Sequence, residues 1–170
     1  MDTQNKQLLD ALLQAIQAER DGHSFYQMAA SSTQDPKARD VFARLASEEL
    51  DHLEFLGKQH ASVLKTGRPD RTVKFGPRSD FSGMSPIFSD DIKSRIRGAH
   101  VEMSALSIGI KLELDSMNFY KAQAVAASDP LARDFFGELA EWEAGHYRAL
   151  LAQQDELKAD YWSAGGFSPF

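Results

Sequence analysis

The residues of this chain best equipped for chemistry are four glutamates and two histidines: Glu19, Glu49, His52, Glu113, Glu143 and His146. They stand in one pattern written twice. Glu19 precedes Glu49-x-x-His52, and 94 residues later Glu113 precedes Glu143-x-x-His146. Their surroundings repeat at the same offset: Asp35/Asp129, Pro36/Pro130, Ala38/Ala132, Arg39/Arg133, Asp40/Asp134, Phe42/Phe136, Leu45/Leu139 and Ala46/Ala140. Phe25/Phe119, Tyr26/Tyr120 and Ala30/Ala124 extend the match around the first glutamates. On a helix, residues three apart project from one face, so each Glu-x-x-His converges. A single Glu-x-x-His is ordinarily a surface charge pair. Two at one offset, each accompanied by a glutamate that interrupts an apolar stripe, mark an internal duplication. Buried unpaired carboxylates are strongly unfavourable. Two divalent cations would neutralise all of these glutamates, and the imidazoles would complete the ligand set. Mixed oxygen and imidazole donors suit iron or manganese, and iron adds redox chemistry that zinc lacks.

Helices must position these groups. Residues 5–31 read as one, with Leu8, Leu12, Ile16, Glu19, His23, Tyr26 and Ala30 stepping by three or four. Ser31 to Thr33 close it, and Asp35-Pro36 supplies an N-cap and a first-turn proline for the next. The second helix runs to about Lys65 with Phe42, Leu45, Glu49, His52, Leu53 and Leu56 inward. A short helix is expected from Ser89-Asp90-Asp91 to about Gly98, then a third long helix from Ser104 carrying Leu106, Ile110, Glu113, Met117, Tyr120 and Ala124. Asp129-Pro130 repeats the punctuation, and the fourth helix reaches about Lys158 through Phe135, Leu139, Glu143, His146 and Leu150.

The expected fold class is all-α: a four-helix bundle of two duplicated helix pairs, 5–65 and 104–158, within one domain spanning 1–170. The crossover, 66–103, holds Pro69, Gly76, Pro77, Gly83 and Pro86 and loses the helical period. A connection this long is expected to travel the length of the bundle between two parallel copies. Lys65 just before it and its own Arg68, Arg71, Lys74 and Arg78 read as solvated charges. The aromatic tail, Tyr161–Phe170 with Gly165-Gly166, shows no helical period and is expected to pack on the bundle or on a partner subunit.

Composition narrows the function further. The absence of cysteine among the 170 residues excludes disulfides, thiolate zinc sites and iron–sulfur clusters. A net charge of −6 and pI near 5.3 argue against non-specific nucleic-acid binding. No apolar run approaches ~20 residues, and the first residues lack a basic segment followed by an apolar one. The expectation is a cytoplasmic protein with no membrane or nucleic-acid partner.

On the residues just named, the chain resembles rubrerythrin-type members of the ferritin-like superfamily over nearly its whole length. The family's Glu-x6-Tyr followed by Glu-x-x-His stands here as Glu19…Tyr26 with Glu49/His52, and as Glu113…Tyr120 with Glu143/His146. This ligand arrangement is general to ferritin-like carboxylate proteins. The resemblance implies that Glu49 and Glu143 bridge two iron ions, Glu19 and His52 serving one and Glu113 and His146 the other. It further implies hydrogen bonds from Tyr26 and Tyr120 to ligand carboxylates. The implied function is that of a non-haem di-iron oxidoreductase, oxidising ferrous iron and/or reducing hydrogen peroxide or dioxygen in oxidative-stress protection. The alternative is an iron-handling protein that binds and releases metal without sustained turnover. Iron or manganese, an external electron-donor protein and a homodimer belong to the same expectation.

Two features depart from the family. Ser116 stands where rubrerythrin usually carries a further glutamate, and Asp115 belongs to another helix face. The four cysteines of a rubredoxin domain have no counterpart here. His23, one turn beyond Glu19 and paired by the repeat with Met117, reads as a polar neighbour of the site or an extra ligand. His60 and His100 read as surface or loop residues, Trp142 and Trp162 as packing residues.

Overall fold

Both helix pairs are closed by the same turn, built from the same residues. Asp35, in extended conformation, accepts a hydrogen bond from the Ala38 amide at 2.9 Å, with Pro36 in the first helical turn. Asp129 accepts from the amides of Leu131 and Ala132 at 2.8 and 3.2 Å. Arg39 and Arg133 each donate from Nη2 to the carbonyl six residues back, Thr33 and Ala127, at 3.3 Å. Side-chain capping of orphan amides and a proline that lacks one explain why both helices start where they do.

A computed structural model describes residues 3–76, 87–94 and 100–165, with side chains omitted at 93–94 and 161–165. Its helices are α1 (Thr3–Ser32), α2 (Pro36–Thr66), α3 (Asp90–Ser94), α4 (His100–Ala126) and α5 (Pro130–Gly165). The fold is an all-α, ferritin-like bundle, with no strand among the described residues. Short connections make α1 antiparallel to α2 and α4 antiparallel to α5. None of the described helices is long and apolar enough to cross a membrane.

The copies are antiparallel, which corrects the expectation of parallel ones. Tyr26 of α1 bonds Glu113 of α4, while Tyr120 of α4 bonds Glu19 of α1, so residue numbers rise on one helix as they fall on the other. A two-fold relation across the bundle therefore links the pairs. It also puts the end of α2 and the start of α4 at opposite ends, which is why the crossover must span the bundle. Parallel copies would have needed no such journey.

Two repeat-equivalent glutamines hold the crossover at its ends. Gln59 donates to the Asp70 carbonyl at 3.0 Å and accepts from the Asp70 amide at 2.8 Å. Gln153 accepts from the amides of Ile87 and Phe88. Asp35 also accepts from the Ser89 amide and hydroxyl, so one cap serves α2 and the crossover together. Gly67 ends α2 in the left-handed region, φ 75°, with its amide on the Val63 carbonyl at 2.8 Å.

Two apolar clusters flank a polar layer. One gathers Tyr26, Phe42, Leu45, Phe88, Leu106 and Leu150, and the other Leu12, Phe55, Leu56, Tyr120, Phe136 and Leu139. Along every long helix the six glutamate and histidine positions fall between residues of the first cluster and residues of the second. Two boundaries differ from expectation. Helix α4 is already formed at His100, ahead of Ser104, and α5 is still helical at Gly165, past Lys158. No glycine or proline interrupts 159–164, so the aromatic residues continue the helix. The expected reach of α3 to Gly98, Arg78, the side chain of Trp162 and the tail beyond 165 lie outside the described residues.

Candidate metal centre

Glu19, Glu49, His52, Glu113, Glu143 and His146 converge in the polar layer, each at most 5 % exposed. They form two groups, Glu19/Glu49/His52/Glu143 and Glu49/Glu113/Glu143/His146, each with its donor atoms within 4.8 Å of one another. Glu49 and Glu143 belong to both. His52 Nδ1 lies 3.2 Å from Glu19 Oε2 and 3.2 Å from Glu143 Oε1, but only the first contact has hydrogen-bond geometry. His146 Nδ1 lies 3.2, 3.4 and 3.7 Å from oxygens of Glu143, Glu113 and Glu49. Both rings thus turn the same nitrogen toward the carboxylates.

The donor set fits a pair of cations. Glu49 Oε1, Glu143 Oε1 and His52 Nε2 are buried without a hydrogen-bond partner among the described residues. Burial first, then repulsion from Glu143, Glu19 and Glu113, raises Glu49 well above the ordinary carboxylate range. Burial likewise lifts Glu113 to about 8, against the lowering effect of His146. Burial alone would lower His52, but Glu19 and Glu143 outweigh it and raise the ring to about 10. Carboxylates crowded this closely demand positive charge, from protons or from metal.

Tyr26 and Tyr120 are fully buried, and each donates its hydroxyl to the outer glutamate of the opposite repeat, Glu113 and Glu19 respectively. Burial, then those glutamates, pushes both phenols well above their usual value, so they remain donors. Each ring is wedged in the same way, Tyr26 between Phe25 and Phe42, Tyr120 between Phe119 and Phe136.

Access differs on the two sides of the layer. Between α1 and α4 a cavity of about 280 Å³ reaches Glu49, Glu113 and Tyr26, with Gly22 and Ser116 in its wall. Gly22 and Ser116 are repeat-equivalent. A Cβ on Gly22 would meet Glu49 Oε2 at 3.1 Å, so glycine allows α1 to approach the carboxylate closely. Toward α2 and α5, Phe75 of the crossover stacks on Phe55 at 3.8 Å and lies edge-on to Trp142 and His52 at 5.4 and 6.2 Å. That side is closed by rings.

The remaining sequence expectations sort as follows. His23 donates from Nδ1 to the Ala46 carbonyl at 2.6 Å and joins neither group. Asp115 is exposed and paired with Lys111. His60 is half-buried and His100 exposed. Trp142 is buried, yet it does more than pack: its indole N–H donates to Glu48 at 2.7 Å. Glu48, only 3 % exposed and 3.0 Å from His146 Nε2, is the contact that sequence reasoning missed. Its signal was present, since Leu45, Glu48, His52 and Phe55 keep the helical spacing of the buried face.

A family model described as Rubrerythrin matches residues 10–154. Searches of curated proteins and of solved structures return no match.

Proposed function

The chain belongs to the rubrerythrin family, and from that premise we propose that it is a non-haem di-iron oxidoreductase. It oxidises ferrous iron with hydrogen peroxide or dioxygen, and with electrons from a partner protein it consumes peroxide protectively. The observation that carries this reading is the pair of overlapping four-residue groups sharing Glu49 and Glu143. Glu19 and His52 would hold one ion, Glu113 and His146 the other, with the shared glutamates serving both. Two iron ions there would supply Lewis acidity and paired one-electron redox capacity.

The protein's own part is positioning and exclusion. Tyr26 and Tyr120 fix the outer carboxylates through hydroxyls locked between aromatic rings. Phe75, Phe55 and Trp142 keep water from the α2–α5 side. The cavity beside Gly22 and Ser116 admits a small oxidant to Glu49 and Glu113. Iron-loaded protein should consume hydrogen peroxide, and Glu49→Ala and Glu143→Ala should each abolish consumption. Full activity in both variants overturns the assignment.

Ser116 favours a second reading, an iron-handling protein without sustained turnover. Its hydroxymethyl group lines the cavity where the family resemblance implies a further glutamate. Oxidation that stops after one equivalent of bound iron, despite excess peroxide and reductant, would select this reading over the first.

A further inference from the structure

The repeats differ at one position that touches the site. Glu48 of α2 and Trp142 of α5 are 94 residues apart and therefore equivalent, each one residue before a shared glutamate. The two-fold relation brings each against the other repeat's histidine. Glu48 Oε2 lies 3.0 Å from His146 Nε2 and accepts the Trp142 indole N–H at 2.7 Å. Trp142 instead sets its ring edge-on to His52, centroids 4.7 Å apart, and an indole has no acceptor to offer. His52 Nε2 is accordingly buried with no hydrogen-bond partner among the described residues.

The chemical consequence differs for the two rings. A carboxylate only accepts, so with a cation on Nδ1, the nitrogen facing Glu113 and Glu143, His146 would keep its remaining proton on Nε2 against Glu48. The charge-assisted bond also fixes the ring's orientation and makes Nδ1 a stronger donor toward a cation. His52, between Trp142 and Phe75, receives neither benefit. We propose that Glu48 is a positioning residue that makes the two cation positions unequal, the Glu113/His146 position binding a divalent ion more tightly than the Glu19/His52 position. This rests on the dinuclear reading above.

The test is anaerobic titration of metal-free protein with Co2+ alone, followed by calorimetry and by visible ligand-field absorption. Native protein should bind two ions in separate steps, with affinities about 10-fold or more apart. Glu113→Gln should remove the tight step and Glu19→Gln the weak one. Glu48→Gln keeps shape and an acceptor oxygen but removes the charge. It should weaken the tight step about 10–100-fold and leave the weak step where it was. Trp142→Phe keeps a ring against His52 and removes the indole N–H from Glu48; it should move the tight step in the same direction by less. Two equal steps in native protein, or a Glu48→Gln effect on both steps alike or on neither, would overturn the proposal and spare the dinuclear reading. Binding of one Co2+ or none would overturn both.

Discussion

Glu19 and Glu113 were legible in the sequence because each puts a carboxylate where the helical period demands an apolar side chain. Glu48 sits on the same buried face but beside Glu49, in a run of acidic residues that looks like a solvated surface. The partners of Tyr26 and Tyr120 were not legible either, since each bonds the opposite repeat and only the packing of α1 on α4 decides that. The crowding of buried carboxylates has opposite effects in the two states of the site. Without metal, Glu49→Gln replaces a buried carboxyl whose charge its neighbouring glutamates disfavour by a neutral amide of the same shape. It should raise stability by on the order of 1 kcal/mol, a few degrees in Tm. With metal, the same change removes a ligand shared by both groups and should shrink the rise in Tm produced by Fe2+ or Co2+. Calorimetric melting with and without chelator reads both signs. A substitution that lowers Tm in the metal-free protein would contradict the argument.

At the scale of elements, the helix pairs and their turns were readable because Asp-Pro punctuation and the 3.6-residue period are local signals. The relative direction of the pairs was not, because long-range contacts set it. The caps also differ in what they hold. Burial pushes the Asp35 carboxyl up, but hydrogen bonds from Ser89 and from the amides of Ala38, Ser89 and Lys37 outweigh it and leave it below the ordinary range. A depressed value in the folded state means stability that is complete above about pH 4, the ordinary value, and lost as pH falls toward the lowered one. Asp35→Asn should therefore destabilise at neutral pH and flatten the acid limb of the urea midpoint. Asp129→Asn should do less, since the hydrogen bonds Asp129 accepts come from its own helix start. At the far end of the crossover, Gln153→Leu frees the amides of Ile87 and Phe88. Those amides should lose hydrogen-exchange protection while Asp70, held by Gln59, keeps its own.

For the molecule as a whole, aromatic rings on one side and a cavity on the other would direct traffic to the polar layer between α1 and α4. Ser116→Leu should narrow that cavity without removing a member of either four-residue group. The expected outcome is slower Fe2+ uptake and slower reaction with peroxide at unchanged final stoichiometry, measured by stopped-flow absorption. An unchanged uptake rate would point to another route. The crossover has a further consequence, for concentration. Tyr26 meeting Glu113 while Tyr120 meets Glu19 is the reciprocal pattern of an isologous dimer, here between halves of one chain. Each four-residue group draws its members from both halves. Two separate helix hairpins would have to find each other before either group existed, and their hold on metal would fade on dilution. Joined, they meet at an effective concentration on the order of millimolar. The chain carries its own second subunit, so the grip its two groups would have on metal would not depend on how many copies surround it.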